Sequence, residues 1–335
     1  MTNTSVPTLL DQLTAMTTVV ADTGDLAAIE RFRPVDATTN PSLITAAALL
    51  PCNIELIENA IADARAEGLH QDALVDRAID LLTVRLGVAI VKLIKGRVST
   101  EVDARLSYDT EETIAKAHEL IALYAAAGID QSRVLIKIAA TWEGIQAARA
   151  LEAEGIHCNL TLLFGLHQAV ACADAKVTLI SPFVGRILDW YKKYEGKTSY
   201  AIEQDPGVLS VREIYAYYKQ HGHPTEVMGA SFRSTAQITA LAGCDLLTIA
   251  PALLAELSEQ TGVLDRKLSP DRTSQPQIAA LTIDQATFEH IHNGTATSSL
   301  MAFELLQSGI DGFIKAREQL TSQLRKIAGI PDIQP

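Results

Sequence analysis

The chain has 335 residues, 48% of them hydrophobic and 20% charged, which is globular composition with ample material for a core. A formal net charge of -12 and a pI near 5.1 argue against a general affinity for nucleic acid or acidic membrane surfaces, so any anionic ligand must be met by locally placed cations. The N-terminus carries neither a basic segment nor an apolar h-region, and no apolar run approaches the ~20 residues of a membrane-spanning helix. Cys52, Cys158, Cys172 and Cys244 show no CxxC or metal-finger spacing and read as reduced, mostly buried thiols. Together these features predict a soluble cytoplasmic protein without a signal peptide.

In chain order, residues 8–16 form a short helix, and 17–22 are a β-branched run that ends in Asp22. A brief extended segment ends at Asn40, where Pro41 opens a helix. From 53 to 95, apolar residues recur at spacings of three and four, predicting two helices inserted between strands. Further short strands are expected over 96–102, 133–139, 156–163, 176–181, 225–231 and 245–250, with helical segments in nearly every gap. Thr141 is a plausible N-cap, and Thr110 and Glu112 reinforce the start of another helix. Residues 268–277 read as a polar surface segment, and 284–290 and 298–327 as additional helices.

Eight short apolar strands alternating with helices, none joined by a two-residue hairpin turn, call for a parallel sheet with crossover helices. The closed (β/α)8 TIM barrel is the economical solution, here as one domain over 1–335 with additional helices at the N-terminus, between strands 2 and 3, and at the C-terminus. An open doubly wound sheet is the competing topology, weakened because no GxGxxG follows the first strand.

The apolar strands end in polar groups: Asp22, Asn40, Glu101, Asn159 with Thr161, Ser181 and Ser231. In a barrel such positions converge on the C-terminal face, where active sites sit. Lys137 lies deeper, between Ile136 and Ile138, on the strand face it shares with Leu135 and Ala139. Two readings remain open: a reactive amine, or a structural lysine neutralised by Glu101 or Asp22. Asp22 and Asn40 also suit turns or helix N-caps. Arg233 follows Ser231 by two residues, and Arg186 follows Ser181 on the adjacent loop. Both arginines suit a phosphate clamp, the alternative being surface ion pairs. The histidines lack metal-site spacing and read as surface residues, and Trp142 and Trp190 as packing.

Seven motifs, taken in order, resemble class I transaldolase of the long, pentose phosphate pathway type. They are Val20-Ala-Asp-Thr-Gly-Asp25, Asp36-Ala-Thr-Thr-Asn-Pro-Ser42, Ser99-Thr-Glu-Val-Asp-Ala-Arg-Leu-Ser107, Ile136-Lys-Ile-Ala-Ala-Thr-Trp-Glu-Gly144, Cys158-Asn-Leu-Thr-Leu-Leu-Phe164, Ser181-Pro-Phe-Val-Gly-Arg-Ile187 and Met228-Gly-Ala-Ser-Phe-Arg233. The last sixty or so residues carry little of the resemblance.

The resemblance implies a homodimeric barrel that moves a dihydroxyacetone unit between phosphorylated sugars: from sedoheptulose 7-phosphate or fructose 6-phosphate to glyceraldehyde 3-phosphate or erythrose 4-phosphate. It implies Lys137 as the Schiff-base lysine, Asp22 as acid and base at the C4 hydroxyl, and Glu101 with Thr161 holding the water that shuttles protons. Asn40, Asn159 and Ser181 would bind sugar hydroxyls, Phe183 would keep the pocket apolar, and Arg186, Ser231 and Arg233 would hold phosphate.

A free lysine, with a pKa of about 10.4, is protonated near neutrality and must be depressed to attack a carbonyl. The resulting iminium is itself the electron sink, so no metal and no cofactor are expected. One departure is the stretch Phe164-Gly-Leu-His-Gln-Ala169, which has glycine where the family usually has serine; the loop adjoins Thr161, so a change in water placement or aldose preference is one reading, and a tolerated change at a helix start is the simpler one. A free aldolase releasing dihydroxyacetone and a non-catalytic phosphosugar-binding barrel are the alternatives.

Overall fold

The computed structural model describes residues 6–271 and 277–331. Eight parallel strands close in sequence order, β1 (Thr18–Asp22), β2 (Asp36–Thr38), β3 (Val98–Glu101), β4 (Val134–Ala139), β5 (Cys158–Leu163), β6 (Leu179–Pro182), β7 (Glu226–Gly229) and β8 (Leu246–Ile249), with β8 pairing back onto β1. This is the expected (β/α)8 barrel. The inserted helices between β2 and β3 are Ile54–Ala66 and Gln71–Leu93, within the predicted span. A helix over Leu26–Phe32, not singled out in the sequence, completes the first crossover, capped by the Asp25 carboxylate accepting from Ala27 N–H.

The strands are shorter than their apolar runs. β6 starts at Leu179 because Lys176 adopts a left-handed φ of 59°, and β7 ends at Gly229, short of Ser231. The polar segment predicted over 268–277 is described only at its ends, residues 272–276 lying outside the described residues.

Two apolar layers make the barrel. Strand residues facing outward pack under the crossover helices in the largest core cluster, which includes Val19, Ile136, Ile138, Leu160 and Val227. Val20, Leu135, Leu179, Met228 and Leu246 fill the interior. Because side chains alternate along a strand, the next inward positions beyond Val20, Leu135 and Leu179 are Asp22, Lys137 and Ser181. An apolar plug thus supports a polar layer immediately above it.

The C-terminal helix, Thr297–Ala328, is 32 residues long, or about 48 Å at 1.5 Å per residue. Its first half packs Met301, Ala302, Leu306, Ile310 and Phe313 onto Leu162, Phe164 and Phe183 at the barrel mouth. Its second half joins the inserted helices through Leu320 and Leu324, and Thr45 Oγ1 donates to Ala316 O at 3.0 Å. Among the described residues, no single helix is long and apolar enough to cross a membrane.

Candidate active site

Strand register assembles the centre. Glu101 of β3 is the Cα partner of Lys137, and Lys137 is the partner of Asn159 in β5, so three polar side chains from consecutive strands sit in one layer. Lys137 is 4% exposed. Its Nζ lies 3.2 Å from Glu101 Oε2 and donates to Thr39 O at 3.0 Å. The structural partner considered for a buried lysine is therefore present, and it is the same carboxylate that the reactive reading requires.

Glu101 Oε2 nevertheless makes no hydrogen bond of good geometry, and Thr161 Oγ1, fully buried one step beyond Asn159 on the same face, has none either. Buried polar atoms of this kind are ordinarily satisfied by water or ligand. Burial pushes the Glu101 carboxyl above its usual range, with Lys137 and Arg186 opposing and Asp22 adding to the rise.

Asp22 ends β1 opposite Thr38, whose Oγ1 donates to Asp22 Oδ1 at 3.1 Å and contacts Thr248 Oγ1 at 2.7 Å. Burial raises this carboxyl too, against the lowering pull of Lys137, Thr38 and Arg186. Two buried carboxyls whose proton affinity burial raises thus share one layer with the Lys137 amine. Asn159 Nδ2 donates to Ser99 Oγ at 3.0 Å, and Ser181 Oγ donates to Asn159 Oδ1 at 2.5 Å. Asn40 serves as the N-cap of helix Pro41–Ala48, its Oδ1 accepting from Leu43 N–H at 3.0 Å.

At the rim, the Arg186 guanidinium lies 4.9 Å from the Phe183 ring and 5.8 Å from Phe313. Burial first, and then Arg233, push Arg186 below its usual value, while Glu101 and Asp22 oppose. The two guanidiniums therefore feel each other's charge. The chain does not stay extended from Ser231 to Arg233: Ser231 is left-handed, with φ 60°. Arg233 instead folds back, its Nη1 donating to Ser231 O at 3.3 Å and reaching Oγ at 3.4 Å, while its Nε pairs with exposed Asp189 at 2.9 Å. Gly185 N–H donates to Ser231 O at 2.8 Å, and a Cβ on Gly185 would lie 2.2 Å from that oxygen. Only glycine permits this approach.

The glycine departure is a helix start. Gln168, at the third helical position, accepts on Oε1 from Phe164 and Gly165 N–H and donates from Nε2 to Ala140 O and Leu162 O, so it reaches back to fasten the start of a helix whose N-cap glycine has no side chain to do so. The expectation of surface histidines fails at His167. It is 6% exposed, with its ring 5.2 Å from Phe288 and its Nε2 3.3 Å from His292 Nδ1. Helix Gln285–His292, far away in sequence, covers it. Cys158, Cys172 and Cys244 are buried and Cys52 is exposed.

Four residues at the site escaped sequence reasoning. Ser99 and Thr38 had a signal, being two positions before Glu101 and Asn40 in their segments, and Thr248 shares an inward face with Leu246. Phe313 had none, since its ring comes within 5.9 Å of Lys137 Nζ from a helix outside the barrel repeat.

The transaldolase/fructose-6-phosphate aldolase family model matches residues 19–324. A transaldolase of Methylococcus capsulatus is 59% identical over 319 residues, covering 94% of this chain and 96% of that protein. One from Nostoc sp. is also 59% identical, covering 94% and 95%, and one from Thermosynechococcus vestitus is 58% identical, covering 95% and 81%. With the closed barrel and the lysine-centred polar layer, these likenesses mean that the chain belongs to the transaldolase/fructose-6-phosphate aldolase family.

Proposed function

We propose that the chain is a transaldolase that carries a dihydroxyacetone unit from a ketose phosphate to an aldose phosphate as a Schiff base on Lys137. The observation that carries the reading is a single buried amine held between the Glu101 carboxylate and Thr39 O in the polar layer of the barrel.

In this reading the neutral amine of Lys137 attacks C2 of the ketose, and water leaves as the iminium forms. Glu101 and Thr161, each with a buried oxygen that accepts no hydrogen bond, hold the water that moves those protons. Asp22 takes the C4 hydroxyl proton, the C3–C4 bond breaks, and its electron pair flows into the iminium to give an enamine while the aldose departs. The enamine carbon then attacks an incoming aldehyde, Asp22 returns the proton to the new hydroxyl, and hydrolysis frees Lys137. Asn159, Ser181 and Asn40 bind sugar hydroxyls, and Arg186, Arg233 and Ser231 hold the phosphate. Phe183 and its edge-on neighbour Phe164, centroids 5.5 Å apart, keep water from the enamine. The family resemblance carries with it a homodimer in the cytoplasm, which light scattering and cell fractionation would test.

Incubation with fructose 6-phosphate and borohydride, followed by peptide mass analysis, should leave a three-carbon adduct on Lys137 that is lost in Lys137→Met. Sugar binding without an adduct would favour a binding module. Free release of dihydroxyacetone without acceptor-dependent exchange would favour an aldolase. The transaldolase relatives at 58–59% identity support transfer.

A further inference from the structure

Between the barrel and helices Gln71–Leu93, Thr110–Ala126 and Thr297–Ala328 lies a cavity of about 40 Å³ whose wall includes Glu101 and Thr39; roughly 10–15 Å³ measured this way admits one water. Its wall mixes apolar side chains, Ile44, Ile79, Leu120 and Leu320 among them, with a cluster of charged ones. Asp80, 8% exposed, pairs with Lys116 at 2.8 Å, and the Lys116 side chain remains 22% exposed, so the far end reaches the surface. Arg317 Nε sits 2.7 Å from Asp103 Oδ2 without hydrogen-bond geometry. Glu101, whose side chain is 4% exposed, lines the near end, its Oε2 3.2 Å from Lys137 Nζ without hydrogen-bond geometry. A chamber large enough for water, bordered by charged groups whose hydrogen-bonding capacity is not filled, can hold internal water.

Imine chemistry needs such a site. Each condensation releases one water and each hydrolysis consumes one, while the barrel mouth is roofed by Phe313 and Arg186. We propose that this chamber is a second water site serving the reaction, taking up the water expelled when the ketose condenses with Lys137 and returning water for hydrolysis, with Glu101 standing between chamber and amine. The inference rests on the Schiff-base reading above.

In the condensing step the protonated Glu101 gives a proton, relayed by the water it holds with Thr161, to the carbinolamine hydroxyl. The C2–O bond breaks, the nitrogen lone pair forms the iminium, and water plus the Glu101 carboxylate result; hydrolysis reverses each change. The chamber adds no reactant beyond water.

The test uses the whole chain and fructose 6-phosphate with a heavy-oxygen label on its C2 carbonyl. The readout is the enzyme-dependent washout of label into water, divided by the borohydride-trapped adduct on Lys137. Thr83 lines the chamber, and Thr83→Ile should fill it, lowering the ratio about tenfold with the KM for the sugar unchanged. Thr83→Met fills the same space with a more flexible chain and serves if the isoleucine variant fails to fold, whereas Thr83→Val, close to threonine in size, should leave the ratio as it is. An unchanged ratio in a folded, filled variant overturns the proposal. Absence of any adduct in the unaltered protein would instead remove the Schiff-base reading beneath it.

Discussion

Phe313, on the C-terminal helix, holds its ring 5.9 Å from Nζ of Lys137, so the polar layer of the barrel is roofed by a residue from outside the eight-fold repeat. Its neighbours Arg186 and Phe183 come from the loop and helix start after β6. The roof therefore joins the end of the chain to its middle.

Truncating that roof should cost both stability and fidelity. Phe313 is 4% exposed, and Phe→Ala in a core typically loses about 3–5 kcal/mol. Phe313→Ala should lower the midpoint of denaturant unfolding and admit water to the enamine. Free dihydroxyacetone would then rise relative to acceptor-dependent exchange; an unchanged partition would show that the ring does not shield the intermediate.

Gly309 sits one helical turn before Phe313, and a Cβ there would lie 2.6 Å from Leu162 Cδ2. Leu162 has little room to yield, because its backbone is held at φ 54° beside a register shift in β5. Gly309→Val should lift the helix, destabilising the fold by about 1–3 kcal/mol and raising the KM for sugar. Equal KM and unfolding midpoint in the variant would mean that the helix does not need this contact.

Gly185→Ala tests the phosphate arm. The added methyl would meet Ser231 O at 2.2 Å and the Arg233 side chain at 2.8 Å, displacing both groups. The KM for fructose 6-phosphate should rise more than kcat falls, while any turnover of unphosphorylated fructose should change little. A parallel loss with both sugars would place the damage elsewhere.

Acid should find His167. Burial, and the neighbouring His292, hold its ring pKa down at about 3 from a usual 6.5. Between those values the unfolded chain binds a proton that the native protein refuses, so stability falls as pH drops below 6.5 and keeps falling toward the native value. At pH 5 this amounts to about 2 kcal/mol. Denaturant unfolding at pH 7 and pH 5 should therefore show a smaller acid loss in His167→Leu than in the unaltered protein, and identical losses would mean that the ring is solvated.

Much of the barrel was legible in the sequence because its signals are local. Apolar runs of strand length, helical spacing between them and a polar residue at each strand end all follow from side-chain alternation and helix periodicity, which need no knowledge of distant partners. Asp22, Lys137 and Ser181 could be placed on inward faces for that reason. The boundaries were less legible: β6 and β7 are trimmed by left-handed residues at Lys176 and Ser231, which hydrophobicity does not report.

The sequence by itself determined the alternation that makes a closed parallel barrel and the chemical character of its polar layer. Only the tertiary structure decided which groups meet. Register makes Glu101 and Asn159 the two strand neighbours of Lys137, a helix near residue 288 buries His167, and the last helix brings Phe313 over the amine and Arg317 beside Asp103. These contacts join residues far apart in the chain, and their geometry is set by barrel closure and long-range packing, for which no local pattern carries a signal.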